Sequence, residues 1–350
     1  MEIFVCVYLV KNCYRITVAA EEPFICSLLA GGRTDDQKGG IMNVSEIHSF
    51  TVPQRRLDAA GAYTVVFRKF IRKQAYDTLF GDEESKRFVL RAAEKPANIC
   101  YIADIHGDFS QAASIVKEVE RTAGISALAF GGDMGEIENK GDALAFCRFI
   151  SEITKGEIPV IFCRGNHDTR GGYAQEFMRY VGADGDKGYF VFSYRGLEGL
   201  VLDCGEDKID DFYIYGGGNV FHKYRLKETG FIRKVGRSGK KFDIAFCHIS
   251  FMLSRSMHDI FDIEADLYDV WARELNIINP RLMVCGHIHY TAFDPPSDRD
   301  LRKHNYPVLS GAGVAADGGL TCSLISFSAD GAITIRSADK DGVKREAINV

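Results

Sequence analysis

Five short polar runs in this chain each follow an apolar run, and all five carry side chains able to bind a cation or move a proton. Asp104-Ile105-His106-Gly107-Asp108 follows Ile99 to Ala103, and Gly131-Gly132-Asp133 follows Leu128 to Phe130. Arg164-Gly165-Asn166-His167-Asp168 follows Pro159 to Cys163, His248 follows Ile244 to Cys247, and Gly286-His287-Ile288-His289 follows Leu282 to Cys285. In extended chain, residues two apart point to the same side. Asp104 and His106 can therefore offer an oxygen and a nitrogen to one cation, and His287 and His289 are paired likewise. Asp104, His106, Asp133, Asn166, His248, His287 and His289 make seven mixed N and O donors, too many for one tetrahedral ion and suited to two ions sharing a bridging carboxylate.

Taken singly, each residue has a plainer explanation. A strand-end Asp or His commonly caps a helix, Gly131-Gly132-Asp133 can be a turn, and Asn166-His167-Asp168 can be an Asx-type turn. Turn chemistry does not readily produce all five in this order, each after a buried strand. Asp108 reads as a cap for the next helix or a brace for a ligand histidine. Arg164 could bind phosphate oxygens or pair with a carboxylate.

The elements that must hold these residues divide the sequence in two. Residues 1–95 alternate β-favouring runs (Tyr14 to Val18, Phe24 to Leu29, Ile47 to Val52, Tyr63 to Phe70) with Gly, Asp and Asn clusters, the spacing of a small antiparallel sandwich. From Ile99, strand-like runs alternate with helical periods such as Phe109, Ala112, Ala113, Val116 and Val119. This predicts a layered α/β domain over 96–350, with its polar clusters at strand ends, where open α/β sheets bind ligands. The boundary falls near Glu94 to Pro96. Between strands, Lys223, Arg225, Lys227, Arg233, Lys234, Arg237, Lys240 and Lys241 oppose a single Glu228. The segment is either a cationic flap for a phosphorylated substrate or an exposed element with a solvated loop.

A net charge of −5 argues against broad binding to nucleic acid or anionic membrane. No apolar run is long enough to span a bilayer, and Phe4 to Val10 reads as a first strand. Ten cysteines are scattered singly, several within apolar runs, which predicts a reduced, cytoplasmic protein.

The series D-x-H-G, GD, GNHD, a lone His and GHxH resembles the calcineurin-like metallophosphoesterase superfamily over about residues 98–310. That resemblance implies a four-layer α/β/β/α sandwich hydrolysing phosphomonoesters or phosphodiesters. It also implies one metal site of Asp104, His106, Asp133 and His289, and a second of Asp133, Asn166, His248 and His287, bridged by Asp133. The nucleophile would be a metal-bridging hydroxide and the general acid His167, oriented by Asp168. The N-terminal segment, with Val52-Pro53 and Ala60-Gly61-Ala62-Tyr63, is similar to the fibronectin-type-III-like domain of purple acid phosphatases. Those enzymes carry a tyrosine three residues after the bridging aspartate; here Glu136 stands there, which favours divalent Mn, Fe or Zn over a coloured ferric site. The expected partner is a small phosphorylated substrate. A catalytically silent binding protein would usually have lost donors or His167, all of which are retained, and a nuclease would want interleaved basic and aromatic residues.

Overall fold

The computed structural model describes residues 1–36, 43–91, 97–213, 217–218, 220–253, 264–314 and 318–350. Its first part is β1 (Phe4–Val10), β2 (Cys13–Ala30), β3 (Arg33–Asp35), β4 (Ser45–Pro53), α1 (Gln54–Ala60), β5 (Ala62–Lys73), β6 (Thr78–Phe80) and β7 (Glu84–Val89). Two runs that the sequence separates, Tyr14 to Val18 and Phe24 to Leu29, join into the single strand β2. The Glu21-Glu22-Pro23 stretch between them is absorbed as an irregularity, shifting the register against β4 between Ala19 and Phe24. The Ala60-Gly61-Ala62 step, expected to connect strands, is the end of α1. Gly61 sits at φ 65° and donates its N–H to Leu57 O at 2.9 Å.

Strand and helix then alternate as β8 (Ala97–Ile102), α2 (Phe109–Ala123), β9 (Ala127–Phe130), α3 (Lys140–Thr154), β10 (Val160–Phe162) and α4 (Ala174–Phe177). A further set comes next: β11 (Phe190–Tyr194), β12 (Leu197–Val201), α5 (Phe221–Arg237), β13 (Ile244–Phe246), α6 (Ala265–Ile278), β14 (Met283–Cys285), β15 (Ala292–Asp294) and β16 (Val308–Ser310). Short strands close the chain: β17 (Gly313–Val314), β18 (Leu320–Phe327), β19 (Ile333–Asp339), β20 (Gly342–Val343) and β21 (Ile348–Asn349).

Two sheets result. The larger runs β20-β19-β18-β8-β9-β10-β1-β2-β5-β6, and the smaller runs β11-β12-β13-β14-β16-β15. β8, β9 and β10 are mutually parallel, as are β12, β13, β14 and β16. Parallel strands are covered on both faces, which is why these runs are apolar without alternation. The expected boundary at Glu94 to Pro96 lies outside the described residues. The larger sheet continues across it, because β1 pairs in parallel with β10 at Tyr8 and Val160 and antiparallel with β2. β1 is buried at every position, as such an interior strand requires.

Residues of the smaller sheet divide between two cores by alternation. Val201, Ile244, Phe246 and Val284 join the core shared with the larger sheet, while Leu200, Ala245, Cys247 and Met283 pack with α5 and α6 around Tyr268, Trp271 and Leu275. The basic segment is therefore mostly helix α5. Ile232 and Val235 face inward, whereas Lys223, Lys227, Arg233, Lys234 and Arg237 face solvent. Arg225 is no part of a flap: it is buried, donates to Cys204 O at 2.8 Å and pairs with Glu264 at 2.5 Å. Among the described residues no helix is long and apolar enough to cross a membrane.

Candidate metal centre

The carboxyl ends of β8, β9, β10, β13 and β14 meet on one rim, and backbone hydrogen bonds lock their loops together. Asp104 N–H donates to Gly132 O at 2.9 Å, His106 N–H to Asp133 O at 3.0 Å, and Gly286 N–H to His248 O at 3.0 Å. Asp104 and Asp133 each also accept from a neighbouring loop: Asp104 Oδ2 from His287 N–H at 3.0 Å, and Asp133 Oδ1 from His167 N–H at 2.8 Å. Among the described residues, nine that are not glycine have positive φ, and five of these are Asp104, His106, Asp133, His287 and His289. Left-handed backbone is unfavourable for such residues and persists where surrounding structure enforces it. Here it turns the donors inward just beyond their strands.

Close packing of the loops explains two of the glycines. A Cβ on Gly165 would fall on the backbone nitrogen and Oδ1 of Asp133, and one on Gly132 would meet Gly165 backbone and His248 Nδ1. Gly165→Ala is therefore expected to destabilise the fold by about 1–3 kcal/mol and to push Asp133 out of place. Urea unfolding together with the metal content of the purified variant tests this; wild-type values for both would refute it.

All seven predicted donors come together. Asp104, His106 and His289 form one group with donor atoms close enough to share an ion, and Asp133, His248 and His287 form another. Asn166 is buried beside the second, its Oδ1 2.9 Å from His287 Nδ1. The Nε2 atoms of His106 and His289 face each other at 3.2 Å. His248 lies 2.7 Å through Nδ1 from Gly131 O. With Nδ1 keeping its proton, Nε2 is the atom free to ligate once it gives up the proton facing Asp133 Oδ2, 3.2 Å away. Buried ligand histidines are usually held in this way, so the side chains present fit a metal.

The electrostatics point the same way. Burial pushes the Asp104 carboxyl up to about 7, aided by the Asp133 charge and opposed by His248. Burial alone would lower His248, but the Asp133 and Asp104 carboxylates hold it up at about 10. His287 is pushed down to about 3, chiefly by burial and then by His248. Asp104 driven toward neutrality, beside an Asp133 kept ionised by an imidazole recruited as its counter-charge, marks a cluster short of positive charge, which a bound cation would supply.

One sequence expectation needs correction. Asp168 does not orient His167. Its Oδ1 accepts Met134 N–H at 2.8 Å, and its Oδ2 accepts Asp133 N–H at 3.0 Å and Gly165 N–H at 2.8 Å, so it is a buried brace between loops. The physical reason is the 3-10 turn over His167–Thr169, which sends adjacent side chains in different directions. Of the two roles open to Arg164, the structure shows the carboxylate pairing: it is buried and paired with Asp203 at 2.8 Å. Asp108 caps α2 by accepting Gln111 N–H at 3.0 Å.

The His167 ring instead meets Arg170, whose Nη1 lies 3.0 Å from Nε2. Arg170 is itself held by Glu206 at 2.8 Å and Asp207 at 2.9 Å. These three were missed by sequence reasoning. A signal existed: Asp203 to Asp207 follows the apolar run Leu200 to Leu202, the same succession of strand and polar residues that marks the other five clusters. Burial, then Arg170, lower the His167 pKa, against Asp133 and Glu136.

Fold and site together define a mixed α/β protein with a cluster of Asp, His and Asn side chains able to hold metal at the carboxyl ends of its parallel strands. Residues 97–291 match the calcineurin-like phosphoesterases, and the chain belongs to that family, whose chemistry is metal-dependent hydrolysis of phosphate esters. The purple acid phosphatase PPD1 from yellow lupin (Lupinus luteus) seeds superposes with a TM-score of 0.61 at 12% identity, over 99% of this chain and 73% of that one. At that identity the likeness speaks to the fold, and it takes in the N-terminal strands as well as the family segment. A conserved protein of Streptococcus pneumoniae matches at 14% identity with a TM-score of 0.36, over 74% of this chain and 100% of that one. A Thermus thermophilus protein matches at 16% identity with a TM-score of 0.43, over 73% of this chain and 99% of that one. No curated protein matches the chain.

Proposed function

We propose that the chain hydrolyses small phosphomonoesters or phosphodiesters with two divalent ions. Asp104, His106, Asp133 and His289 would hold one ion, Asp133, Asn166, His248 and His287 the other, and His167 would be the proton donor. The observation that carries this reading is the pair of donor groups, Asp104–His106–His289 and Asp133–His248–His287, on one rim. When bound, the ions would supply Lewis acidity toward the phosphate oxygens and a water nucleophile at neutral pH. Mn, Fe and Zn all accept this mixed N and O set.

The protein's own part is positional. Asp168 holds the Asp133 and Asn166 loops in register through backbone N–H groups. Arg170 limits the movement of the His167 ring from one side, and the edge of His106, with ring centroids 4.8 Å apart, limits it from another. The phosphate dianion of a bound substrate is the charge that would favour protonated His167, from which the departing alkoxide takes its proton. A reducing, cytoplasmic setting agrees with ten free thiols, eight of them buried.

The test is activity profiling of Mn-loaded protein on nitrophenyl phosphate, bis-nitrophenyl phosphate and alkyl phosphates. Metal-dependent turnover of at least one is expected. Inactivity on all of them, with full metal content, would overturn the proposal.

A further inference from the structure

Beside the metal centre lies a cavity of about 320 Å³ whose lining the metal donors do not explain. His106 stands at one side; Phe109, Met134, Ile137 and Phe146 give it apolar walls; Glu136 and Asp142 are its acidic groups. Among the described residues, neither lysine nor arginine lines it. A phosphoryl group drawn to the metal donors leaves the rest of the ester to be housed, and this cavity adjoins them directly through His106.

The two carboxylates are not equivalent. Asp142 Oδ2 is taken up by the N–H groups of Glu138 and Asn139, both at 2.9 Å, while Asn139 Oδ1 accepts Gly141 N–H at 2.7 Å. The α3 N-terminus, which would otherwise attract an anion, is thus already capped by its own side chains. Glu136 has a half-exposed side chain, and its ionic contact is a loose 3.5 Å approach to His167 Nδ1. A carboxylate so placed, above apolar and aromatic walls, suits an ammonium group carrying hydrocarbon and repels a second phosphate or carboxylate.

We propose that this cavity receives the alcohol portion of the ester and selects a cationic amino alcohol, with Glu136 reading its charge. The inference rests on the phosphoesterase reading of the adjoining donors and adds a substrate class to it. Comparing kcat/KM of the Mn-loaded enzyme for phosphocholine and for 3,3-dimethylbutyl phosphate, its uncharged carbon isostere, isolates charge from shape. Wild type should favour phosphocholine by about three- to tenfold, the size of one half-exposed charge contact. Glu136→Gln should bring the ratio close to one, and Glu136→Lys should invert it. Equal rates for the two esters in wild type, or a ratio unmoved by Glu136→Gln, would overturn this inference alone. Absence of turnover on both, and on nitrophenyl phosphates, would remove the phosphoesterase reading and this inference with it.

Discussion

Stripping the protein with a chelator is expected to abolish ester hydrolysis and lower its melting temperature, with added Mn restoring both. Asp104, Asp133 and Asp168 are all buried within one set of loops, and His248 is the buried imidazole whose charge offsets them. An ion that binds only the folded chain stabilises it by about 4 kcal/mol at a thousand times its dissociation constant, which is several degrees in melting temperature. Because imidazole must be unprotonated to ligate and the His248 ring carries a proton at neutral pH without metal, metal binding should release that proton and metal affinity should fall as the pH is lowered. Asp133→Asn sharpens the test, since it keeps the shape and the Oδ1 acceptor for His167 N–H while removing the charge placed between the donor groups. The loss of several kcal/mol of charge stabilisation means a fall in kcat on the order of a thousandfold or more. Metal analysis should find fewer than two ions per chain. Undiminished turnover by metal-free protein, or by Asp133→Asn, would show that the reaction does not run through this centre.

The donors were legible in the sequence because of where they sit. Runs such as Ile99 to Ala103 and Leu282 to Cys285 are too short and too evenly apolar to be anything but buried strands, and the residues just after such a strand lie at a sheet's ligand-binding edge. Pattern conveys burial but not partnership. Phe4 to Val10 has the all-apolar character of an interior strand, yet nothing local says that its neighbour is β10, far along the chain. The same limit hid the Arg170–Glu206–Asp207 cluster, whose members are joined only by the return of β12 to the rim. Adjacency misled in the opposite sense at Asp168, where one residue of tight turn separates a loop brace from the ring beside it. At Glu21-Glu22-Pro23 the residue types favour a turn, but pairing on both sides through β4 and β5 keeps the strand running through them.

His167→Ala should separate proton donation from metal binding. With an alkyl phosphate the leaving alkoxide needs a proton, and loss of a positioned donor costs roughly a hundred- to ten-thousandfold in rate. Nitrophenolate leaves readily without one, so turnover of nitrophenyl phosphate should fall far less, and the ratio of the two losses is the signature. A competing role exists on geometric grounds, because His167, His106 and Asp133 also lie close enough together to share an ion. If His167 were a ligand, the variant would lose metal, and both substrates would suffer alike. The placement of its ring argues for the donor role: it is partly open to solvent and flanked by a guanidinium 3.0 Å from Nε2, whereas the ring of His248 is fixed by a backbone carbonyl. Full metal content together with a loss confined to poor leaving groups would establish the donor. Equal losses with depleted metal would make His167 an eighth ligand and leave the alkoxide to take its proton from water.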